Sequence, residues 1–474
     1  MTSDSVLRIF EEITTIPRES GHEGPMTDYL CKWAEDHGLE YKKDGTGNVC
    51  IIRPASKGRE NVPTIVLQAH QDMVCEKKAG VRHDFRKDPI RYEIKDGWMV
   101  APDTTLGADD GIGVAACLAL MESKAEMGRV ESVFTISEET GMDGAFAMES
   151  GFFTGKVLIN LDSEDEGQLF IGCAGGENTD IRFHYQGENP DGDWKRLRLS
   201  LTGGQGGHSG DDINKHRLNA VQTMARFLDG ELSSGLQLFM FRGGGKSNAI
   251  ARECMAVISV PDSVKTKTRF EAFAEKVKAE YASTEPDLVF KVRGDKSNEK
   301  AVDSKTALSL IHALATAPHG VERMSPDIEG LVQTSTNLAA VDMKRHGIIK
   351  VVTSQRSSVV AELDEVVKKV AKHFEAAGAE VKSYGKYPGW KPNLKSHILD
   401  VCTESYRRLF GQEPLVLAIH AGLECGLFLE KFPGLDMISF GPTLRGVHTP
   451  GEKLELASMD KFVKLLDDVI CNYR

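Results

Sequence analysis

Four side chains that could share a cation stand at the ends of aliphatic or glycine-rich stretches far apart in the chain: His70, Asp109, Glu139 and Asp162. One imidazole and three carboxylates make a hard-to-borderline donor set, suited to Zn²⁺, Mn²⁺ or Co²⁺. If one carboxylate bridges two ions, each ion keeps an open position for water, as hydrolytic chemistry requires. Any one of these residues alone is more often a cap or a turn group. Their shared placement makes them a candidate metal centre.

That placement comes from the elements around them. Ile65 to Ala69 in Thr64-Ile-Val-Leu-Gln-Ala-His70 is short, aliphatic and preceded by Pro63, which predicts a strand buried on both faces. Val133-Phe-Thr-Ile-Ser137 runs in the same way into Glu138-Glu139, and Val157-Leu-Ile-Asn-Leu161 into Asp162. Ligands of open α/β sheets bind at the carboxyl ends of strands, so these residues are expected on one rim of one sheet. Asp109 lies in Gly107-Ala-Asp-Asp-Gly-Ile-Gly-Val, a glycine turn feeding a helix of small residues that can pack closely on a sheet. Two amphipathic helices precede all of this, with Val6, Ile9, Phe10 and Ile13 on one face and Met26, Leu30, Trp33 and Ala34 on the other's.

The turn formers of Gly187-Glu-Asn-Pro-Asp-Gly-Asp193 are expected to link two domains. Beyond them, strand-like and helix-like segments spell βαββαβ from Leu197 to Val292, and a second pass runs from Ala307 to Tyr384. The strand–helix alternation of the first domain returns after Pro388. The expected architecture is an α/β domain of residues 1–193 and 388–474 with a central mixed sheet, carrying an inserted α+β domain of residues 194–387 built from two ferredoxin-like halves.

Composition narrows the function. At 474 residues the chain exceeds one ordinary core, and its 41% apolar and 27% charged fractions are those of a water-soluble protein. Apolar runs all fall short of the ~18 residues of a membrane span. The amino terminus lacks the basic and apolar regions of a secretory signal, and the nine cysteines are odd in number and without CxxC spacing. Free thiols in the cytoplasm are therefore expected. A net charge of −12 without a basic stripe speaks against nucleic acid as a partner. Other motifs fail on inspection: Gly243-Gly-Gly-Lys-Ser247 has Met240 where a P-loop needs its first glycine, and Gly207-His-Ser-Gly-Asp211 ends on aspartate where a nucleophile elbow needs glycine.

A family resemblance follows from six motifs in order: His70-Gln-Asp72, Leu106-Gly-Ala-Asp-Asp-Gly111, Glu138-Glu-Thr-Gly141, Asp162-Ser-Glu164, Gly206-Gly-His-Ser-Gly210 and Gly446-Val-His-Thr-Pro450. The series resembles the M20 family of di-zinc peptidases over nearly the whole chain, and within it the bacterial aminoacyl-histidine dipeptidases. The resemblance implies a zinc-peptidase catalytic domain with a lid insertion and two divalent ions, zinc first, with manganese or cobalt as substitutes. It implies that Asp109 bridges them, with His70 and Asp162 on one ion and Glu139 and His448 on the other. Asp72 would orient His70, Glu138 would be the general base, and His208 would donate to the developing oxyanion. Glu138 and Glu139 are adjacent, so the turn after Ser137 must be irregular for both to face the ions. Asp110 departs from the family pattern, which has asparagine there.

A dipeptide has a free carboxylate one residue past the scissile bond, and a guanidinium grips it best. Arg356, in Thr353-Ser-Gln-Arg-Ser-Ser358, is the candidate, with Asn248 as helper and Glu424 as acceptor for the α-ammonium. The expected activity is hydrolysis of small peptides, dipeptides of the Xaa-His or carnosine type. A deacylase of N-acyl amino acids, a tripeptidase and a non-catalytic metal-dependent binding protein remain open, as does the choice between monomer and homodimer.

Overall fold

The computed structural model describes residues 1–474 apart from Asn298 and His346. The chain forms two compact units, Met1–Gly172 with Trp390–Ala418 and Leu423–Arg474, and Cys173–Gly389 with Ile419–Gly422.

The first unit is built on an eight-stranded mixed sheet. Its centre is four parallel strands in the order Val130–Thr135, Ile65–His70, Val157–Asn160 and Asp436–Ser439. Every residue of the first three is buried, which is why they read as aliphatic runs rather than alternating patterns. Helix Ala108–Glu122 packs against strand Ile65–His70 and helix Ser3–Ile13. It is buried all round from Ala108 to Met121, and its small side chains permit that closeness.

Two buried charges pin the start of this helix. The Arg18 guanidinium donates to the carbonyls of Gln71 (3.1 Å), Asp72 (2.8 Å) and Gly107, tying the end of the His70 strand to the glycine turn. A Cβ on Gly107 or Gly111 would stand 2.5 Å from that guanidinium, so both positions require glycine. From the other side, Glu452 accepts the N–H groups of Leu106 (2.8 Å), Gly107 (3.1 Å) and Ala108 (2.8 Å). Glu452 is held by a small sheet of Leu444–Arg445, Lys453–Glu455, Trp98–Val100 and Glu93–Lys95.

The second unit carries a nine-stranded antiparallel sheet. Strands Val289–Gly294, Lys195–Thr202, Cys254–Val260 and Gln237–Gly244 lie side by side, followed by Val332–Arg345, Ile348–Ser357, Gly175–His184 and Glu380–Tyr387. Each set of four has ferredoxin-like order. The opening strand of the second set is Gly175–His184, ahead of the stretch 187–193, so the first half is nested between that strand and the remainder of the second half. The expected boundary after residue 193 is thereby corrected to Gly172, and the expected closing boundary at 387/388 lies at Gly389. Gly187–Glu188 pairs with Ala301–Val302 inside the unit, so the turn formers do not join domains. The strand was missed because only Ile181 and Phe183 of Gly175–His184 are large and apolar.

None of the nine cysteines is joined in a disulfide. Among the described residues no helix is long and apolar enough to cross a membrane.

Glu131 shows how charge is fixed in the core of the first sheet. Its carboxylate accepts the Thr154 and Gly155 N–H groups (2.6 and 3.0 Å) and the Thr154 hydroxyl (2.7 Å), and pairs with Arg129 at 3.0 Å. Burial disfavours its charge, yet these donors outweigh burial and hold its pKa below the ordinary value. A depressed carboxyl pKa stabilises the fold above the unfolded-state value of about 4.3, and that contribution is lost as pH falls through the folded-state value. The stability difference between wild type and Glu131→Gln, measured by urea denaturation, should therefore shrink steadily as pH falls from about 6 to below 4. A difference that stays constant would show that the charge contributes nothing.

Candidate metal centre

His70 ends its strand with the side chain fully buried. Its Nε2 lies 3.0 Å from Asp109 Oδ1 and 3.7 Å from Asp162 Oδ1. The other oxygen of Asp109, Oδ2, lies 3.0 Å from His448 Nε2, which in turn lies 2.9 Å from Glu139 Oε1. The five side chains form one series, Asp162, His70, Asp109, His448, Glu139, with Asp109 in the middle and one oxygen toward each imidazole. Local backbone makes this possible. Gly107 has φ +71° and Asp109 itself is non-helical, so its carboxylate leaves the helix start sideways. His448 sits at φ +62° in the turn between two short strands.

Asp72 holds the series in register. Its Oδ1 lies 3.4 Å from His70 Nδ1 and accepts the Glu138 N–H at 3.0 Å, while Oδ2 accepts the Glu139 N–H at 3.2 Å and the Ser20 hydroxyl at 2.8 Å. One carboxylate thus orients the imidazole and fixes the turn carrying both glutamates. The turn is irregular as the adjacency of Glu138 and Glu139 demands: Ser137 has φ +52°, and its N–H and hydroxyl donate to Glu23 at 3.0 and 2.9 Å.

The donor atoms fit a divalent cation. Donors of His70, Asp109 and Glu139 fall within 4.8 Å of one another, and so do those of His70, Asp110 and Asp162. The second triad includes Asp110, which also accepts the His70 N–H at 3.3 Å and the Gly113 N–H at 3.2 Å. Burial drives the electrostatics: it raises Asp162 to about 7 and Glu164 to about 8, and lifts Glu138 and Asp110 well above the carboxylate range. Hydrogen bonds from the His448 imidazole to Asp109 and Glu139 raise His448 to about 11. For Asp109, contact with His448 and His70 overcomes burial and holds the carboxyl below its usual range. So much buried carboxylate is unfavourable by itself, and positive charge among these donors relieves it.

Glu424 is placed otherwise than expected. It is fully buried, its Oε2 accepts from Gln68 (2.6 Å) and Thr135 (2.7 Å), and among the described residues Oε1 has no hydrogen-bond partner. Burial raises it to about 8. An acceptor for a substrate ammonium needs an accessible ionised carboxylate, which this geometry does not offer.

His208, Asn248 and Arg356 belong to the second unit. Arg356 is 8% exposed and donates to Ser209 Oγ (3.4 Å) and the Tyr387 hydroxyl (3.3 Å), with no carboxylate paired to it among the described residues. Ser335, its cross-strand neighbour, is bonded to His420 at 2.7 Å. Tyr387 reaches Arg356 across Gly176, where a Cβ would stand 2.7 Å from its hydroxyl. His208 Nδ1 lies 3.4 Å from Asp211 and its side chain is 33% exposed. Asn248 is exposed, and its carbonyl accepts the Ser209 N–H at 2.8 Å.

Sequence reasoning missed Arg18 and Glu452 as supports, and Tyr387 and His420 as neighbours of Arg356. Glu452 had a signal, an acid two residues past the Gly446–Pro450 motif; Arg18 had none, because its partners are all backbone carbonyls.

Residues 66–472 match the model of peptidase family M20/M25/M40. The chain is 38% identical over 466 residues to the cytosol non-specific dipeptidase of Escherichia coli (strain K12), covering 98% of this chain and 96% of that protein. The crystal structure of aminoacylhistidine dipeptidase from Vibrio alginolyticus superposes with a TM-score of 0.91 at 37% identity, over 99% of this chain and 96% of that one. Aminopeptidase PepT from Bacillus cereus ATCC 10987 shares the fold at a TM-score of 0.58 and 18% identity, over 99% of this chain and 98% of that one. The chain belongs to peptidase family M20/M25/M40.

Proposed function

We propose that the protein is a metal-dependent dipeptidase acting in the cytoplasm, with Xaa-His dipeptides among its substrates. The observation that carries this reading is the carboxylate of Asp109 set between His70 and His448, with Asp162 and Glu139 beyond them. The two relatives that match over nearly the full chain, named as dipeptidases, support it.

His70, Asp109 and Asp162 would hold one divalent ion and Asp109, Glu139 and His448 the other, zinc by the nature of the donors. Such ions, when bound, supply Lewis acidity that lowers the pKa of a water and polarises the peptide carbonyl. Glu138 accepts a proton from the attacking water and returns it to the leaving amine. Its burial, which raises its pKa, moves it toward the range of an effective base at neutral pH. Asp72 keeps the imidazole of His70 and the Glu138–Glu139 turn in place, so that base and ligands stay aligned. In the second unit Arg356, buried and without a carboxylate partner among the described residues, binds the substrate's terminal carboxylate, helped by Asn248, and His208 donates to the oxyanion.

Three outcomes test this. Chelation should abolish hydrolysis, and Asp109→Ala should lose both equivalents of metal by elemental analysis; retention of one full equivalent contradicts a shared carboxylate. Glu138→Gln should keep its metal while kcat falls by roughly 10²–10⁴, and unchanged turnover would remove Glu138 from the mechanism. Arg356→Ala should lose about 2–5 kcal/mol in kcat/KM on free dipeptides and little on carboxyl-amidated ones. Wild-type protein that cleaves amidated and free dipeptides equally well would refute both the anchor and the dipeptidase assignment.

A further inference from the structure

The second unit contains a cavity of about 560 Å³ whose wall includes His208, Lys246, Asn248, Arg252 and Glu253. Two segments form that wall and are stitched by backbone. Ser209 N–H donates to the Asn248 carbonyl at 2.8 Å, Ile250 N–H donates to the Gly207 carbonyl at 2.9 Å, and His208 pairs with Ala249. The shape is further fixed at Gly207, with φ +135°, where a Cβ would stand 2.4 Å from the Asp212 oxygen that accepts the His208 N–H. The concavity is therefore held by main-chain geometry rather than by mobile side chains.

Its charge is unbalanced. Lys246 and Arg252 are exposed, and among the described residues neither has an ion-pair partner, whereas Lys215 nearby is paired with Asp212 at 2.9 Å. Glu253 is the one carboxylate on the wall, so two cations face one anion in a chain of net charge −12. Uncompensated positive charge in a concave wall concentrates the field on whatever enters. The cavity also adjoins the Arg356 cluster: His208 lines it, and the next residue, Ser209, accepts a hydrogen bond from Arg356. Consecutive Cα atoms are about 3.8 Å apart, and a single residue step separates Ser209, which Arg356 touches, from His208 on the cavity wall.

We propose that this cavity is a side-chain pocket for an acidic residue of the substrate, with Lys246 and Arg252 binding its carboxylate, so that dipeptides containing Glu or Asp are preferred over their neutral isosteres. The proposal rests on the dipeptidase reading. Arg252 suits it by the fork of its guanidinium and Lys246 as a point charge.

Two isosteric pairs test it, Ala-Glu against Ala-Gln and Glu-Ala against Gln-Ala. In wild-type protein at low salt, the Glu member of at least one pair should have a kcat/KM about tenfold higher, and the preference should shrink at about 0.5 M salt, where charges are screened beyond a few Å. In the Lys246→Met/Arg252→Met variant the Glu-to-Gln ratio should fall to about one. Equilibrium dialysis of the same pairs with Glu138→Gln protein reads charge preference without turnover. Absence of hydrolysis for every dipeptide would then defeat the dipeptidase reading, while the binding ratio decides the pocket separately. A ratio of one or less for both pairs in the wild type, or a preference that survives the double substitution, overturns the proposal.

Discussion

A single carboxylate, Asp109, faces His70 with one oxygen and His448 with the other at 3.0 Å each, inside a cluster of acids that burial alone would drive toward protonation. The two buried charges nearest the turn beneath it, Arg18 and Glu452, hold that carboxylate in place without touching its oxygens. Arg18 approaches the turn beneath it but donates to backbone carbonyls, not to the ligand oxygens. Its charge is thus spent on holding two segments together, and the donors remain free for cations. Glu452 does the converse, capping the N–H groups of Leu106 to Ala108 so that the helix start cannot close around the carboxylate of Asp109.

Asp72 links the two halves of the chemistry. A metal-binding imidazole needs a partner on its other nitrogen, and a general base needs a fixed turn. The same carboxylate meets both needs, because it lies two residues beyond His70 and receives the N–H groups of Glu138 and Glu139. Base and ligands are therefore mechanically coupled, and a change at Asp72 would disturb both at once.

His70, Glu139 and Asp162 were legible because each stands at or just past the end of a strand buried on both faces, where sequence has only aliphatic residues to show until the rim is reached; Asp109 showed through its glycine turn and His448 only through the family resemblance. The irregular turn at Ser137 followed from a stereochemical necessity, since adjacent residues of a strand cannot face one site. The nested strand Gly175–His184 was not legible: it opens with two glycines, next to which Tyr387 packs, runs through four consecutive polar residues and so looks like loop. The burial of Glu424, expected as an acceptor for the α-ammonium, was not legible since its partners, Gln68 and Thr135, lie in strands far away in the chain. Supports built from backbone contacts leave no pattern in the side chains at all.

Asp110, where the family resemblance leads one to expect asparagine, has contacts that show what the position does. Its two oxygens accept from the N–H groups of His70 and Gly113, fastening the His70 strand to the helix that carries Asp109. An asparagine offers a single acceptor oxygen, with an amide that can only donate, so it cannot receive both N–H groups on separate oxygens. The carboxylate therefore fastens strand to helix more completely, at the cost of adding an acid beside Asp109 and Asp162, which burial strongly disfavours.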